Sequence, residues 1–300
     1  MRVPAIVWPI LVASAAALAP AGLRAQATRA EPTSLSALLA AAASYLETYE
    51  QKFSAIVAEE QYTQTTKAQS GKLLLSAEPS RRDLKSDLMM LNLGDSDWTQ
   101  FRDVYEVDNE AVRDHEARLQ GLFEKPSAGT ISQAQRIADE SAGYNIGVAR
   151  NINVPTMALT YLWRDHQARS TFQLAGSESI DGERTLILKF RETATPSLIR
   201  TPEGTVATSG RFWILPVEGD VIRTELTCVV KSPRLTGTTT VEYGLQPAVG
   251  LRVPTRMDEE YDRAFGEVDR GHATYSNFRA FTVDTKAVKR GGGGGGGGGR

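Results

Sequence analysis

The residues of this chain that could do chemistry are a few histidines, two runs of carboxylates and one cysteine. A metal site needs ligands at close and characteristic spacing, and nucleophilic catalysis needs a nucleophile beside a base. The histidines, His115, His166 and His272, lie in three separate segments without ligand-like spacing. We therefore expect neither a metal site nor a cofactor.

The carboxylate runs are Glu59-Glu60 and Asp258-Glu259-Glu260. Glycoside hydrolysis needs two carboxylates that face each other across a cleft. Both runs lie in segments that favour strands, and consecutive residues of a strand point to opposite faces. Neither run can therefore form a catalytic pair by itself.

Known catalytic motifs are missing from the sequence. It contains no nucleophile elbow, phosphate-binding glycine loop, paired-histidine helix or dinucleotide fingerprint. Cys228 lies on the apolar side of its segment, where a thiol usually acts as a small core hydrophobe. The sequence predicts a protein that is not an enzyme. A hydrolase whose site is assembled from distant residues, such as His115 and the carboxylates, is a remaining alternative.

The N-terminal segment has the features of a cleaved signal peptide over residues 1 to 27. Arg2 gives a positive start, residues 5 to 20 are apolar, and residues 25 to 27 (Ala-Gln-Ala) fit the small-x-small cleavage rule. The apolar run is short, alanine-rich and broken by proline, which favours a cleaved signal peptide over a signal anchor. Thr28, not a lipidated cysteine, follows the cut, so we expect a periplasmic or secreted protein without a transmembrane segment.

The charge balance excludes a class of partner. Removing residues 1 to 27 deletes Arg2 and Arg24 and no acids, which leaves 32 basic and 36 acidic residues and a net charge of −4. Nucleic-acid binding requires a basic field that this chain lacks. A single cysteine also excludes an internal disulfide.

Hydrophobic periodicity predicts an α+β domain. An amphipathic helix begins near Leu35, and alternation of apolar and polar residues then predicts strands. A helical insertion interrupts the strands at about residues 111 to 163, and seven further strands form a meander from Gln167 to residue 284. Their connections are too short for parallel pairing, so the sheet is antiparallel. The strands predicted before the insertion span residues 56 to 66, 81 to 93 and 99 to 108.

The clearest hairpin of this meander spans residues 210 to 230. Ile222, Thr224 and Leu226 share one face of its second arm, and Arg223 and Glu225 share the other. One face is therefore buried and the other faces solvent. A proline- and glycine-containing turn connects the two arms.

Apolar residues of several strands are expected to face one side of the sheet, and residues of the insertion to cover them. Two interpretations stay open: these residues are a filled core, or they line an apolar cavity that suits an acyl chain. Under the second interpretation the ligand-binding residues are Phe172, Leu174, Leu186, Leu188, Phe190, Phe212, Ile214, Ile222 and Leu226 on the sheet, and Met157, Leu159 and Leu162 on the insertion.

This order of elements resembles the LolA/LolB-like group of exported lipoprotein carriers. The hairpin RFWILPVEGDVIRTEL is similar to the aromatic strand, proline-containing turn and Arg-x-Glu strand of that superfamily. DESAGYNIGVARNINVPTMAL is similar to a segment of uncharacterised exported bacterial proteins. The resemblance, over residues 33 to 284, implies a half-barrel: a curved, incompletely closed antiparallel sheet covered by an N-terminal helix and a helical insertion.

Three functions are consistent with the sequence. The first is a periplasmic, non-enzymatic carrier of an apolar ligand, such as a lipid or a lipoprotein acyl chain. The second is a structural or interaction module that binds an envelope protein and no ligand, and the third is the hydrolase. Each would use one domain over residues 28 to 285. The glycine-rich residues 286 to 300 have nothing to bury and are predicted to be a disordered tail.

Overall fold

The computed structural model describes the chain in ten segments. The predicted signal peptide and the predicted glycine-rich tail lie outside these residues, as does residue range 116 to 123, for which helix was expected, apart from Arg118. The segments are 34–53, 56–67, 80–92, 98–114, 118, 130–150, 152–201, 204–231, 234–247 and 249–280.

Within the described residues, eleven strands form one antiparallel sheet in the order β4-β3-β2-β1-β13-β12-β11-β10-β9-β6-β5. A further pair, β7 and β8, forms a small separate sheet. The strands are β1 (Ile56–Lys67), β2 (Ser80–Asn92), β3 (Trp98–Val107), β4 (Glu110–Ala111), β5 (Ser170–Ile180), β6 (Glu183–Glu192), β7 (Arg200–Thr201), β8 (Gly204–Thr205), β9 (Ala207–Ile214), β10 (Val221–Val230), β11 (Leu235–Gln246), β12 (Leu251–Arg263) and β13 (Val268–Ala280).

The sheet is open, because β4 and β5 are its two edges and do not pair with each other in the described part of the chain. The predicted meander is confirmed: its strands are β5, β6 and β9 to β13. The first strand of the domain, β1, pairs with the last, β13, in the middle of the sheet. This pairing joins the strands that precede the insertion to the meander that follows it.

The first helix, α1 (Leu35–Phe53), packs on one face of the sheet. The Ser34 hydroxyl accepts a hydrogen bond from the Ala37 N–H at 3.2 Å, the arrangement of an N-cap. The apolar stripe predicted for this helix faces the core, since its members Leu38, Ala42, Leu46 and Tyr49 are buried.

The insertion contributes α2 (Thr130–Ala142), the 3-10 helix η1 (Met157–Leu162) and the short helix α3 (Arg164–Gln167); a second 3-10 turn, η2 (Ala264–Gly266), precedes β13. Residues 131 to 147 have a sequence pattern that favours helix or loop, and α2 ends at Ala142. Gln64 of β1 bonds the chain beyond it: its amide donates to Asn145 at 2.6 Å and accepts from the Ile146 N–H at 2.9 Å. These tertiary contacts hold residues 143 to 150 as a loop.

Two irregularities of the sheet agree with the sequence pattern. A proline within a strand pattern predicts an edge or a bulge, and Pro254 lies at a register shift between β11 and β12, opposite Tyr243. In β2, the sequence is apolar on both faces from Met89 onward, which predicts a bulge or burial of both faces, and both Met89 and Met90 are buried. The register shift of β2 lies earlier, between Lys85 and Ser86.

The turn between β9 and β10 contacts α1. Gly219 adopts a left-handed conformation (φ 80°), and a Cβ at this position would overlap the backbone of Ala41. Only glycine combines this conformation with so close an approach to another backbone. The hairpin that the sequence marks most clearly is therefore also a contact between the sheet and its covering helix.

Candidate functional site

The apolar residues predicted to bind a ligand lie mostly in one hydrophobic cluster, between α1 and η1 on one side and strands β5, β6, β9 and β10 on the other. We call the face of the sheet that these helices cover the covered face, and the opposite one the outer face. The buried members are Leu159, Leu162, Leu188, Phe190, Phe212, Ile214 and Leu226, and Met157, Phe172 and Leu186 pack against them partly buried.

Strand register explains why these residues meet. Phe172 pairs with Phe190, and Leu188 pairs with Phe212, so the side chains form rows across the covered face. The Phe190 ring lies 5.0 Å from that of Phe212 and 4.7 Å from that of Tyr161 in η1. Aromatic contacts of this kind add to the stabilisation from buried area.

Two of the predicted residues are placed differently. Leu174 is 38% exposed, because it lies on the edge strand β5 beyond the helices. Ile222 is buried, but it lies at a β-bulge between Val221 and Arg223 and is not a member of the cluster of described residues. At this bulge, Val221 and not Ile222 pairs with Ile214.

The cluster is closed in this structure. Leu162, Leu188, Phe212 and Ile214 each have 0% of their surface accessible. A side chain that borders a water-sized void would retain accessible surface, so these residues touch protein on all sides. A ligand could reach them only after α1 or η1 moves.

The sequence suggested that residues of the helical insertion cover the apolar cluster. In the structure, only part of the insertion does so. Only η1 and neighbouring loop residues join the cluster, whereas α2 packs along β3. There the Val104 N–H, on the free side of β3, donates to the Ser141 hydroxyl of α2 at 3.1 Å. The reason is that β3 is paired on that side only near its end, where the short β4 meets it.

Under the other part of the insertion the covered face is polar. Arg102 of β3 donates from Nε and Nη2 to both oxygens of Glu60 in β1, at 2.7 and 2.9 Å. The Ser86 hydroxyl donates to the same carboxylate at 2.7 Å. Nη2 of Arg102 also donates to the backbone oxygen of Asn153 at 2.8 Å. This bond joins the segment between α2 and η1 to the sheet.

A second buried ion pair joins the loop to β12. Arg150 donates to Glu259, and Tyr62 donates to the same oxygen. The hydroxyl of Tyr261 donates to the other oxygen at 2.9 Å. Burial, together with the charge of Glu259, raises the pKa of the Tyr62 hydroxyl well above its usual value.

Glu60 and Glu259 come from the two carboxylate runs, and the fold places both on the covered face. In Glu60 and in Glu259, both oxygens accept hydrogen bonds from arginine or hydroxyl groups within the protein. Both carboxylates are thus engaged by groups of the protein itself. The other carboxylates alternate to the outer face, as expected for strands: Glu59 binds Asn277, and Asp258 binds His272.

A polar cleft of about 580 Å³ lies beside this network, between α2, the loop and β3. Its walls include Gln100, Arg102, Asp139, Asn145 and Arg150. Apolar residues such as Phe101 and Val148 also line the cleft, so the space beneath this part of the insertion is of mixed polarity. Sequence analysis missed this network, because charged residues that alternate along a strand have the pattern of a solvent-facing side.

The remaining candidates for chemistry are dispersed. Cys228 is buried in the apolar cluster, as predicted, and burial raises the pKa of its thiol to about 12. The His166 ring contacts the backbone oxygen of Thr160 at 3.0 Å and stacks on Trp163. His115 lies outside the described residues. Among those described, no group of three His, Cys, Asp or Glu residues could hold a metal ion.

The outer face is polar and carries ion pairs across strands. Arg211 of β9 binds Glu225 of β10 with two hydrogen bonds, at 2.9 and 2.5 Å. Trp213 lies between the guanidinium groups of Arg211 and Arg223, each 5.3 Å from its ring. Arg223 and Glu225 therefore face solvent, as the hairpin pattern predicted.

Comparison with known proteins gives structural similarity only. No family model matches the sequence, and no curated protein matches it. A domain described as an outer membrane lipoprotein-sorting protein, from Vibrio parahaemolyticus, has 12% identity and a TM-score of 0.38 over 82% of this chain and 98% of that one. A DUF1329 family protein from Desulfovibrio piger has 13% identity and a TM-score of 0.38 over 84% and 95%.

A third similar structure is the MucA/MucB complex of Pseudomonas aeruginosa, with 7% identity and a TM-score of 0.19 over 80% of this chain and 99% of that one. A lipoprotein-sorting protein domain is thus among the solved structures to which this chain is similar, as the sequence resemblance suggested. Among the described helices, none is both long and apolar enough to cross a membrane.

Proposed function

We propose that this protein is a non-enzymatic carrier of the cell envelope that holds an apolar ligand, such as a lipid or lipoprotein acyl chain, between α1, η1 and the covered face. The observation that carries the proposal is the apolar cluster itself. It joins η1 to four strands of the meander, and its cover is a single long helix and a short 3-10 helix.

Two of the polar contacts that attach the cover lie near the surface. Arg164 of α3 binds Glu47 of α1 at 3.0 Å, with both side chains more than half exposed. The Lys52 ammonium donates to the Gly250 backbone oxygen at 3.2 Å. Because exposed ion pairs contribute little free energy, these contacts would oppose opening only weakly. Most of the resistance to opening would come from the apolar contacts, which an acyl chain can replace.

In this proposal the structure is the closed state, and the binding-competent state is one in which the cover has moved. The apparent affinity is then lower than the intrinsic affinity by the fraction of molecules that are open. The export signal predicted for residues 1 to 27 supports action in the periplasm. The pairing of Glu60 and Glu259 with arginines supports a protein without hydrolytic activity.

The test is a cross-link that prevents α1 from moving apart from α3, the helix that directly follows η1. Glu47→Cys and Arg164→Cys, in a Cys228→Ser background, are joined with a bismaleimide, and uptake of a fluorescent fatty acid is measured before and after linking. We expect linking to abolish uptake. As a control, Thr227→Cys and Thr238→Cys, whose hydroxyls lie 3.3 Å apart on the outer face, should leave uptake unchanged when linked. A protein that takes up no fatty acid in any form, and that native mass spectrometry finds empty after purification, contradicts the proposal.

Complete burial of Leu162, Leu188, Phe212 and Ile214 favours a second candidate. Residues with no accessible surface are those of a well-packed core, and such a core needs no ligand. The protein would then be an interaction module of the envelope, and its function would depend on surfaces outside the cluster. Cross-linking in cells that traps one protein and no lipid is the outcome expected of this candidate.

A further inference from the structure

Strand β5 is an edge of the large sheet with an unpaired backbone side. Its 11 residues pair only with β6 in the described part of the chain, and most are exposed. The opposite edge is protected differently, because β4 and α2 occupy the free side of β3. An exposed edge strand offers a row of N–H and C=O groups to another strand.

On the outer face beside this edge, positive charge is not balanced. The register places Gln173 of β5 beside Lys189 of β6, and Lys189 beside Arg211 of β9. Thr171 is likewise beside Arg191. Lys189 and Arg191 are exposed, and among the described residues no carboxylate forms an ion pair with either of them.

This arrangement is unfavourable without a partner. Like charges directly opposite each other destabilise a sheet, and Lys189 is opposite Arg211. Glu225 forms an ion pair with Arg211 but not with Lys189. A groove of about 630 Å³ lies over these side chains and reaches the β5 edge, so an added anionic group has room there.

On the covered face at the same edge, apolar surface is incompletely buried. Leu174 is 38% exposed, and Phe172 is only partly buried. A strand added beside β5 would place alternate side chains next to Phe172 and Leu174. The intervening side chains would lie on the outer face next to Thr171 and Gln173, with Lys189 and Arg191 one strand further in.

We propose that the β5 edge binds an extended segment of a partner protein with acidic residues on one face and apolar residues on the other. The segment adds a strand to the sheet: its backbone pairs with β5, its carboxylates neutralise Lys189 and Arg191, and its apolar side chains cover Phe172 and Leu174. A second copy of this chain does not fit this description, since β5 brings the neutral Thr171 and Gln173 to the outer face and its one acidic residue, Glu178, already binds Trp213 and Arg223. The proposal does not depend on carriage of an apolar ligand.

The test uses a short peptide of alternating valine and glutamate as the probe, with a valine and lysine peptide for comparison. We expect the glutamate peptide to slow hydrogen exchange of β5 amides selectively and the lysine peptide to have no such effect. Lys189→Glu with Arg191→Glu should weaken binding of the glutamate peptide by about tenfold or more and allow the lysine peptide to bind. Leu174→Glu, at an exposed position on the other face of the edge, should weaken binding of the glutamate peptide.

The matched control is Arg256→Glu with Arg270→Glu, which makes the same change in net charge at exposed outer-face positions away from this edge. It should leave peptide binding unchanged. The proposal is overturned if β5 gains no protection, if the control pair weakens binding as much as the change at Lys189 and Arg191, or if the protein without peptide protects β5 by dimerising.

Discussion

Arg150 and Glu259 are the buried charges through which the loop after α2 is held to the sheet. The Arg150 side chain has no exposed surface, and its guanidinium also lies 5.4 Å from the ring of Tyr261. Two charges in such a site are stable only together, because either one alone would be desolvated without compensation.

We therefore expect Arg150→Met to lower the free energy of unfolding by about 3–5 kcal/mol, as for other buried pairs that lose one partner. Replacing Glu259 with leucine as well should recover part of the loss, because no uncompensated charge is left. Urea unfolding followed by circular dichroism measures both. Arg81→Met, in the exposed pair with Asp83, is the control and should leave stability unchanged. Equal losses from the two arginine variants would contradict a structural role specific to Arg150.

At the scale of elements, the contact between the β9–β10 turn and α1 can be tested through glycine. Gly182, in the β5–β6 turn, also has a positive φ, but no atom lies within 4 Å of the place that a Cβ would take. Gly182→Ala should therefore lower the free energy of unfolding by about 1–2 kcal/mol, the cost of a left-handed backbone conformation for a residue other than glycine. Gly219→Ala adds overlap with the backbone of Ala41 and should cost clearly more. It should also speed hydrogen exchange in α1. If the two variants are equally stable, the turn does not position the helix.

The junction of β3 and α2 should make stability depend on pH. Asp103 is fully buried and binds Arg113 and Arg118 at 3.2 and 3.0 Å, and Glu140 of α2 binds the same arginines. Burial is the main cause that raises the pKa of Asp103 to about 6, with Asp87 and Glu140 adding to it against the effect of Arg118.

Because the pKa of Asp103 is higher in the folded chain, the folded state binds more protons than the unfolded state between about pH 4 and pH 6. This group therefore lowers stability as the pH rises through that window. We expect the free energy of unfolding of the native protein, minus that of Asp103→Asn, to fall by about 1–3 kcal/mol from pH 4 to pH 7. Urea titrations at several pH values measure the difference, and parallel curves would refute the assignment to Asp103.

At the scale of the whole molecule, β13 holds the two parts of the sheet together. Ala273 has no accessible surface and lies between Tyr62 of β1 and Met257 of β12. The strands before the insertion are joined to the meander through this seam, so a defect there should affect both.

Ala273→Asp should lower the free energy of unfolding by about 3 kcal/mol or more, since it buries a charge without a partner. Hydrogen exchange should speed up together in β2 and in β10, on opposite sides of the seam. Thr274→Asp, at the next, exposed position, should change stability by about 0.5 kcal/mol or less. Loss of protection confined to one side of β13 would show that the two parts fold independently.

The sequence by itself determined the elements that depend on local pattern. Alternation in β9 to β13, the helical stripe of α1 and the turn between β9 and β10 predicted an antiparallel sheet and an amphipathic helix, because side-chain period and turn chemistry are properties of neighbouring residues. The same alternation identified most of the apolar cluster, including Leu188, Phe212 and Leu226.

Only the tertiary structure decided which polar residues are buried and what the insertion covers. Glu60 and Glu259 are far apart in sequence, and pairing of β1 with β13 brings them to one face, where Arg102 and Arg150 neutralise them. Periodicity cannot reveal such compensation, since a charged residue in a strand has the same pattern whether its partner is water or an arginine. The exposure of Leu174 and the bulge at Ile222 likewise depend on strand order and register, which are set by contacts between distant segments.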